Sequence, residues 1–139
     1  VPAKTGRRSI LFIDGKPVIY SLCNFATDLR MDPEHASRKS CKEIQQLAEN
    51  WVPDFDSPYN FPPASRLSMI ARLHIADGRL RESSVLPLWI DRDAVPRLSA
   101  PDDPHFAEVV DYLRAVTAEA DLNACFTPHG ERVILSANA

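Results

Sequence analysis

The stretch LSMIARLHIADGRLRESSVLPLWI, residues 67–90, decides between sheet and helix. Leu67, Met69, Ala71, Leu73 and Ile75 alternate with Ser68, Ile70, Arg72 and His74. That period of two puts the first set on one face of a strand. Asp77 and Gly78 follow, a pair strongly favoured in two-residue hairpin turns. A return strand from Leu80 runs through Val85, Leu86, Leu88 and Trp89 to Ile90. Pro87 has no N–H for a ladder bond, so it is expected only at an edge or a bulge.

Downstream of this hairpin, Asp103 before Pro104 makes a helix start with proline at the first helical position. Phe106, Val109, Val110, Leu113 and Val116 form a stripe that predicts a helix to about Ala120, packed on the sheet of residues 67–90. Cys125 and Phe126, a turn at Pro128 to Gly130, and Val133 to Leu135 predict a terminal hairpin, with nothing to hold Ser136 to Ala139. Upstream, Ser9–Ile13 and Val18–Leu22 flank Asp14 and Gly15, a hairpin whose strands read as largely buried. Ser40 and Glu43 form a capping box before Ile44, Leu47, Ala48 and Trp51, which predicts a short helix from about Cys41 to Trp51. Between Pro53 and Ser65, four prolines leave little room for regular structure, and Phe55, Tyr59 and Phe61 pin the loop to the surface. The fold class is therefore α+β, antiparallel hairpins with two helices, and no internal repeat is visible.

The chain has 139 residues, 45% hydrophobic and 25% charged, which suits a single globular core. A net charge of −3, with no basic stretch interleaved with aromatics, argues against a nucleic-acid partner. No apolar run reaches the roughly 18 to 20 residues of a membrane helix, and no signal peptide is read, so no membrane span is expected. Cys23, Cys41 and Cys125 are odd in number and far apart, which fits reduced thiols and points to the cytoplasm. The start at Val1 fits a processed product, a truncated chain or a subunit released by cleavage.

Motifs with a mechanical explanation, such as a Gly-rich phosphate loop, a nucleophile elbow or H-E-x-x-H, do not occur. His35, His74, His105 and His129 are dispersed, without metal-site spacing. Cys23 has no base identifiable beside it, so a small buried thiol is its preferred role. The pairs Asp54 and Asp56, Asp91 and Asp93, and Asp102 and Asp103 could act as carboxylate pairs, but loop solvation and helix capping explain them. Trp51, Trp89 and Phe106 fall on apolar stripes that core packing requires, and Tyr112 sits at a boundary. No catalytic residue and no metal ligand are assigned within the chain.

One run carries more. Asp14-Gly-Lys-Pro-Val-Ile-Tyr-Ser-Leu-Cys-Asn-Phe25 resembles the "GKPIFYSLGNF" segment of the CapA (capsule and poly-γ-glutamate synthesis) family. Met69–Arg72 with Asp77 and Gly78 resembles that family's next hairpin, and Leu86–Ile90 its "LPVYI" strand. Val95, Pro96 and Leu98 resemble "QPVPL"; the similarity continues through Asp111–Leu113, Leu122, Asn123 and Phe126 to Gly130–Ile134. It is poor over residues 27–64, which read as a variable insertion with a short helix and a Pro-rich loop.

The resemblance implies that residues 1–139 are the C-terminal portion of one calcineurin-like metallophosphoesterase domain, a two-sheet sandwich with metal ligands on loops at strand ends. The ligand motifs of the family ("GD", "NH", "GHxPH") are absent here, so its divalent metal would be held by an N-terminal portion. The chain itself would hold no cofactor and be inactive alone, as part of a metal-dependent hydrolase. Ser21 and Asn24 are the substrate-binding candidates that the motif carries over. Cys23 stands where the family has glycine, a residue that permits φ > 0 and close backbone approach. Asn24 could equally satisfy backbone groups at a strand terminus. Expected partners are the N-terminal portion, a companion chain or a second copy, and the family is often envelope-associated. The competing reading is a noncatalytic binding or assembly module using the Pro-rich loop and an exposed sheet edge.

Overall fold

The computed structural model describes residues 9–22, 24–26, 34, 42 and 51–138. Its strands are β1 (Ile10–Ile13), β2 (Lys16–Ile19), β3 (Leu67–Ala76), β4 (Arg79–Ile90), β5 (Pro96–Leu98), β6 (Ala124–His129) and β7 (Arg132–Ala137). A single 3-10 turn, Pro63–Arg66, precedes β3, and one helix, α1 (Pro104–Glu119), lies between β5 and β6 among the described residues. The architecture is mixed α+β with antiparallel sheets. The helix expected over about Cys41–Trp51 falls, apart from Lys42 and Trp51, outside the described residues.

Two hairpins close as their turn residues demand. Asp14 and Gly15 have φ of 49° and 72°, and Asp77 and Gly78 have 52° and 68°. Positive φ at both central positions defines the turn that matches strand twist, which Asp-Gly adopts readily. β1 and β2 form a two-stranded sheet, whereas β3, β4, β7 and β6 line up in that order, with β5 also paired to β4.

Side-chain alternation along this larger sheet sends Leu67, Met69, Val85, Val133, Leu135 and Phe126 to one face. There they meet Phe106, Val109, Val110 and Leu113 of α1, as the helical stripe requires. Each such side chain contributes on the order of 1.5–3 kcal/mol when fully buried. The opposite face buries Leu88 and Ile90 beneath Tyr59, with Phe61 and Ile70 packed around them. Beyond Ala71, β3 outruns the helix, so Leu73 is exposed, and Ile75, past a shift of register after His74, is 63% exposed.

Pro87 is neither at an edge strand nor at a bulge. It sits opposite Met69 in β4, an interior strand. Its carbonyl accepts from the Ser99 N–H at 3.0 Å, so its nitrogen faces that same side. On this side β7 pairs with β4 only as far as Val85 and β5 only from Leu88. The proline therefore sits where the β7 pairing has ended and β5 begins, opposite Ser99, from whose N–H it accepts but whose carbonyl it cannot serve.

Other expectations need correction. β2 ends at Ile19 and not at Leu22, and the first hairpin is buried on one face only. Ile10, Phe12 and Ile19 join the main core, while Ile13, Val18 and Tyr20 are exposed. The last residues are held after all: Ser136 pairs with Cys125 and Ala137 with Ala124, because the turn lies at Gly130 and Glu131 and the strands run longer.

β1 is attached through side chains. The Ile10 N–H donates to Thr117 Oγ1 at 3.3 Å, the Phe12 N–H donates to Asn123 Oδ1 at 2.8 Å, and Asn123 Nδ2 donates to the Phe12 carbonyl at 3.1 Å. The Asn123 amide thus offers β1 the donor and acceptor that a neighbouring strand would have offered.

Candidate functional site

The segment after β2 brings Asn24 to the end of the large sheet where β3 begins. Asn24 Nδ2 donates to the Tyr59 hydroxyl at 3.0 Å, and the Asn24 carbonyl accepts from Ser68 Oγ at 2.6 Å. Tyr59 is 0% exposed and its own hydroxyl donates to the Ser65 carbonyl at 2.8 Å. Asn24 is itself exposed, and its Oδ1 has no hydrogen-bond partner among the described residues. It therefore presents an acceptor at the surface with its amide plane fixed from beneath. Ser21 is half-buried and already engaged in a polar interaction. Cys23, between them, lies outside the described residues.

Under Asn24 lies a buried polar cluster centred on Arg66, 9% exposed. Its Nη1 donates to the carbonyls of Ile90 at 3.0 Å and Asp91 at 2.5 Å, and its Nη2 to the Tyr59 carbonyl at 2.6 Å and Ser57 Oγ at 3.2 Å. The guanidinium carbon stands 5.0 Å from the centroid of the Tyr59 ring. Burial pulls the Arg66 pKa below its ordinary value, countered by Tyr59 and by the charges of Asp54 and Asp91. One guanidinium thus joins the Pro-rich loop to the end of β4, a task suited to its fixed fork of donors. Tyr59 pins the loop onto Leu88 and Ile90 as expected, with Phe61 packed beside it, whereas Phe55 stays exposed and pins nothing.

The carboxylate pairs serve the backbone. Asp54 accepts from the Asp56 N–H at 3.2 Å and meets Arg92 at 2.8 Å. Asp91 accepts from the N–H groups of Asp93 at 3.0 Å and Val95 at 2.9 Å and from Arg97 Nε at 2.6 Å. Burial pushes Asp91 up, but the Val95 N–H, Arg97 and the Asp93 N–H outweigh it and hold the carboxyl below the usual range. Asp103 caps α1 by accepting from the His105 N–H at 2.9 Å, which together with the His105 ring lowers its pKa. Asp102 is exposed.

Of the histidines, His105 bonds Asp103 and lies 4.2 Å from the Trp89 ring, His74 faces Glu82 across the hairpin, and His129 faces Arg132. His35 and Cys41 lie outside the described residues. Cys125 is half-buried with Sγ directed at Asn138 Oδ1, 3.3 Å away. Trp89 and Tyr112 pack against the main core, and Trp51 is half-buried. Among the described residues, no three His, Cys, Asp or Glu side chains gather as a metal-holding group. No helix among them is long and apolar enough to cross a membrane.

Sequence reasoning singled out Asn24 and the anchoring aromatics of the loop but missed Arg66 and Ser68. Arg66 gives no signal, since a single arginine between a loop and a strand reads as solvated. Ser68 could have been suspected, being the one small hydroxyl on a strand face otherwise carrying Ile70 and longer side chains. The chain matches no model of a known protein family, and no curated protein matches it.

Proposed function

We propose that this chain is the C-terminal part of a CapA-like, metal-dependent hydrolase-like protein of capsule or poly-γ-glutamate metabolism. In this reading a calcineurin-like two-sheet sandwich is completed by an N-terminal portion that carries the metal ligands. Ser21 and Asn24 then lie on the substrate side, and the edge of β3 that no described strand pairs, ten residues long, receives strands from that portion. Support comes from the order of the elements. The GKP run spans the β1–β2 turn, Met69–Gly78 spans β3 and its turn, Leu86–Ile90 closes β4, Pro96 and Leu98 form β5, and Asp111–Leu113 lie in α1.

The observation that carries the proposal is Asn24, exposed at a sheet end, fixed by Tyr59 and Ser68, with Oδ1 pointing to no protein partner among the described residues. An amide held this way can accept a hydrogen bond from a substrate hydroxyl or from a metal-bound water. The test is expression of the longer gene product, with assays of bound divalent metal and of phosphodiester and amide hydrolysis. Asn24→Ala is expected to lower turnover about tenfold or more while metal content stays unchanged. A longer product that binds no divalent metal sinks the reading.

The assembly-module alternative has one observation of its own, the open edge of β3 among the described residues. An exposed edge is a template for an added strand. A longer product devoid of metal but retaining a partner protein at β3 would favour it.

A further inference from the structure

From the order of protons beneath Asn24 we infer that Tyr59 is the specificity-determining residue of the candidate site. Its hydroxyl decides which atom of the Asn24 amide faces outward, so the site takes a ligand through a donor hydrogen and turns away an anionic oxygen. This deepens the CapA-like reading and rests on it for Asn24 as a substrate contact.

The oxygen and nitrogen of an asparagine amide are nearly the same size, so shape alone does not orient them. The hydrogen-bond order does. The Ser65 carbonyl has no hydrogen to give, so its contact of 2.8 Å with the Tyr59 hydroxyl requires the phenolic proton to point there. Ser65 Oγ stands 3.2 Å from the same hydroxyl and directs its own proton to the Pro62 carbonyl at 2.6 Å, so toward Tyr59 it acts only as an acceptor. One phenol carries one proton. Toward Asn24, 3.0 Å away, the Tyr59 oxygen therefore offers a lone pair, and the atom that meets it must be Nδ2. Oδ1 is left facing outward.

The support does not yield easily. Tyr59 is buried, its ring tilted against Phe61 at 5.3 Å and set 5.0 Å from the Arg66 guanidinium carbon. Its N–H donates to Ser57 Oγ at 3.1 Å, and its carbonyl accepts from Arg66 Nη2 at 2.6 Å. Buried Ser68 holds the Asn24 backbone by donating to its carbonyl at 2.6 Å. Turning the amide over would set Oδ1 against a phenolic oxygen whose proton is already committed, two acceptors face to face. What Asn24 shows to solvent is thus an oxygen with lone pairs. A hydroxyl, an ammonium or a metal-bound water brings the hydrogen that it needs. A bare phosphate or carboxylate oxygen brings only like partial charge.

Nuclear magnetic resonance of the isotope-labelled 139-residue chain tests the orientation. Wild type is expected to show Overhauser contacts from the Asn24 Nδ2 hydrogens to the Tyr59 ring, and Tyr59→Phe to lose them while the backbone spectrum away from the loop is kept. Absence of these contacts in wild type, or their persistence in Tyr59→Phe, overturns the inference. Asn24 is exposed, so variants there keep the fold even where Tyr59→Phe does not. In the longer gene product Asn24→Asp keeps an outward acceptor and is expected to hold kcat/KM at least about threefold above Asn24→Ala. For an anionic ligand that order reverses, which overturns the inference. Tyr59→Phe is expected to lower kcat/KM in the wild-type background and to change nothing beside Asn24→Ala; an additive loss marks Tyr59 as a support of the fold alone and equally overturns it. A longer product that binds no metal and hydrolyses nothing sinks the CapA-like reading, and the amide contacts then decide the role of Tyr59 by themselves.

Discussion

Arg66→Ala removes a buried side chain that ties the Pro-rich loop to the end of β4. In the folded protein it leaves the carbonyls of Tyr59, Ile90 and Asp91 and the Ser57 hydroxyl without this donor. A buried polar group stripped of its partner costs about 1–3 kcal/mol. Asp91 lies near solvent and the Tyr59 carbonyl can still accept from Ser57 Oγ at 3.1 Å, so the full penalty falls on Ile90. Relief of the guanidinium's own burial offsets part of it. The expected loss is about 1–3 kcal/mol, a sizeable share of the 5–15 kcal/mol typical of a domain. Arg66→Lys restores a charge but only one ammonium, unable to span carbonyls on two sides, and is expected to recover less than half. Urea unfolding with unchanged m-values gives the difference, and amide exchange around Tyr59 gives its location. A loss below about 1 kcal/mol for Arg66→Ala would refute the view that this cluster is structural.

Val110→Asp puts a carboxylate in the centre of the α1 stripe, where Val110 is buried, and is expected to cost on the order of 3–5 kcal/mol; an unchanged melting temperature contradicts the packing. Asn123→Ala orphans the Phe12 N–H and carbonyl together, so destabilisation of about 1–3 kcal/mol with accelerated exchange at Phe12 is expected. Leucine at the same position should do no better, and a protected Phe12 amide in either variant argues against the attachment. Asp91 and Asp103 both titrate below the ordinary carboxylate value when folded. Their contribution is therefore complete above the unfolded pKa near 3.9 and is lost as pH falls through the lower folded values. Asp91→Asn with Asp103→Asn should flatten the decline of the urea midpoint between about pH 5 and about pH 2; parallel declines for the two proteins oppose this.

Period-two alternation, Asp-Gly turns and the Asp103-Pro104 start made the three hairpins and α1 legible in advance, because each depends on neighbouring residues alone. What escaped depends on contacts between distant ones. Nothing local to Pro87 says that it will lie in an interior strand, where β7 stops and β5 starts beside it. Nothing near Tyr59 says that Arg66 will reach its carbonyl and that Leu88 and Ile90 will need a lid. Burial of the first hairpin was overestimated because Val18, Tyr20 and Leu22 look like core by composition, whereas the strand offers only one face to α1. At the candidate site, Asn24 was legible through a motif, but its support from Ser68, 44 residues away, was not.

The docking of β1 has a bearing on how this protein tolerates change in length. Thr117 lies within the final turn of α1 and Asn123 just past its end, yet they address alternate residues of a strand more than a hundred positions earlier. Those two grips act like teeth set to the pitch of β1. Adding or deleting one residue between them rotates the second tooth out of mesh while the first still engages, although the helix itself would accommodate the change. Insertions that drift harmlessly into most surface connections should therefore be excluded from residues 118–122, a constraint imposed by the spacing of an N-terminal strand on a linker near the other end of the chain.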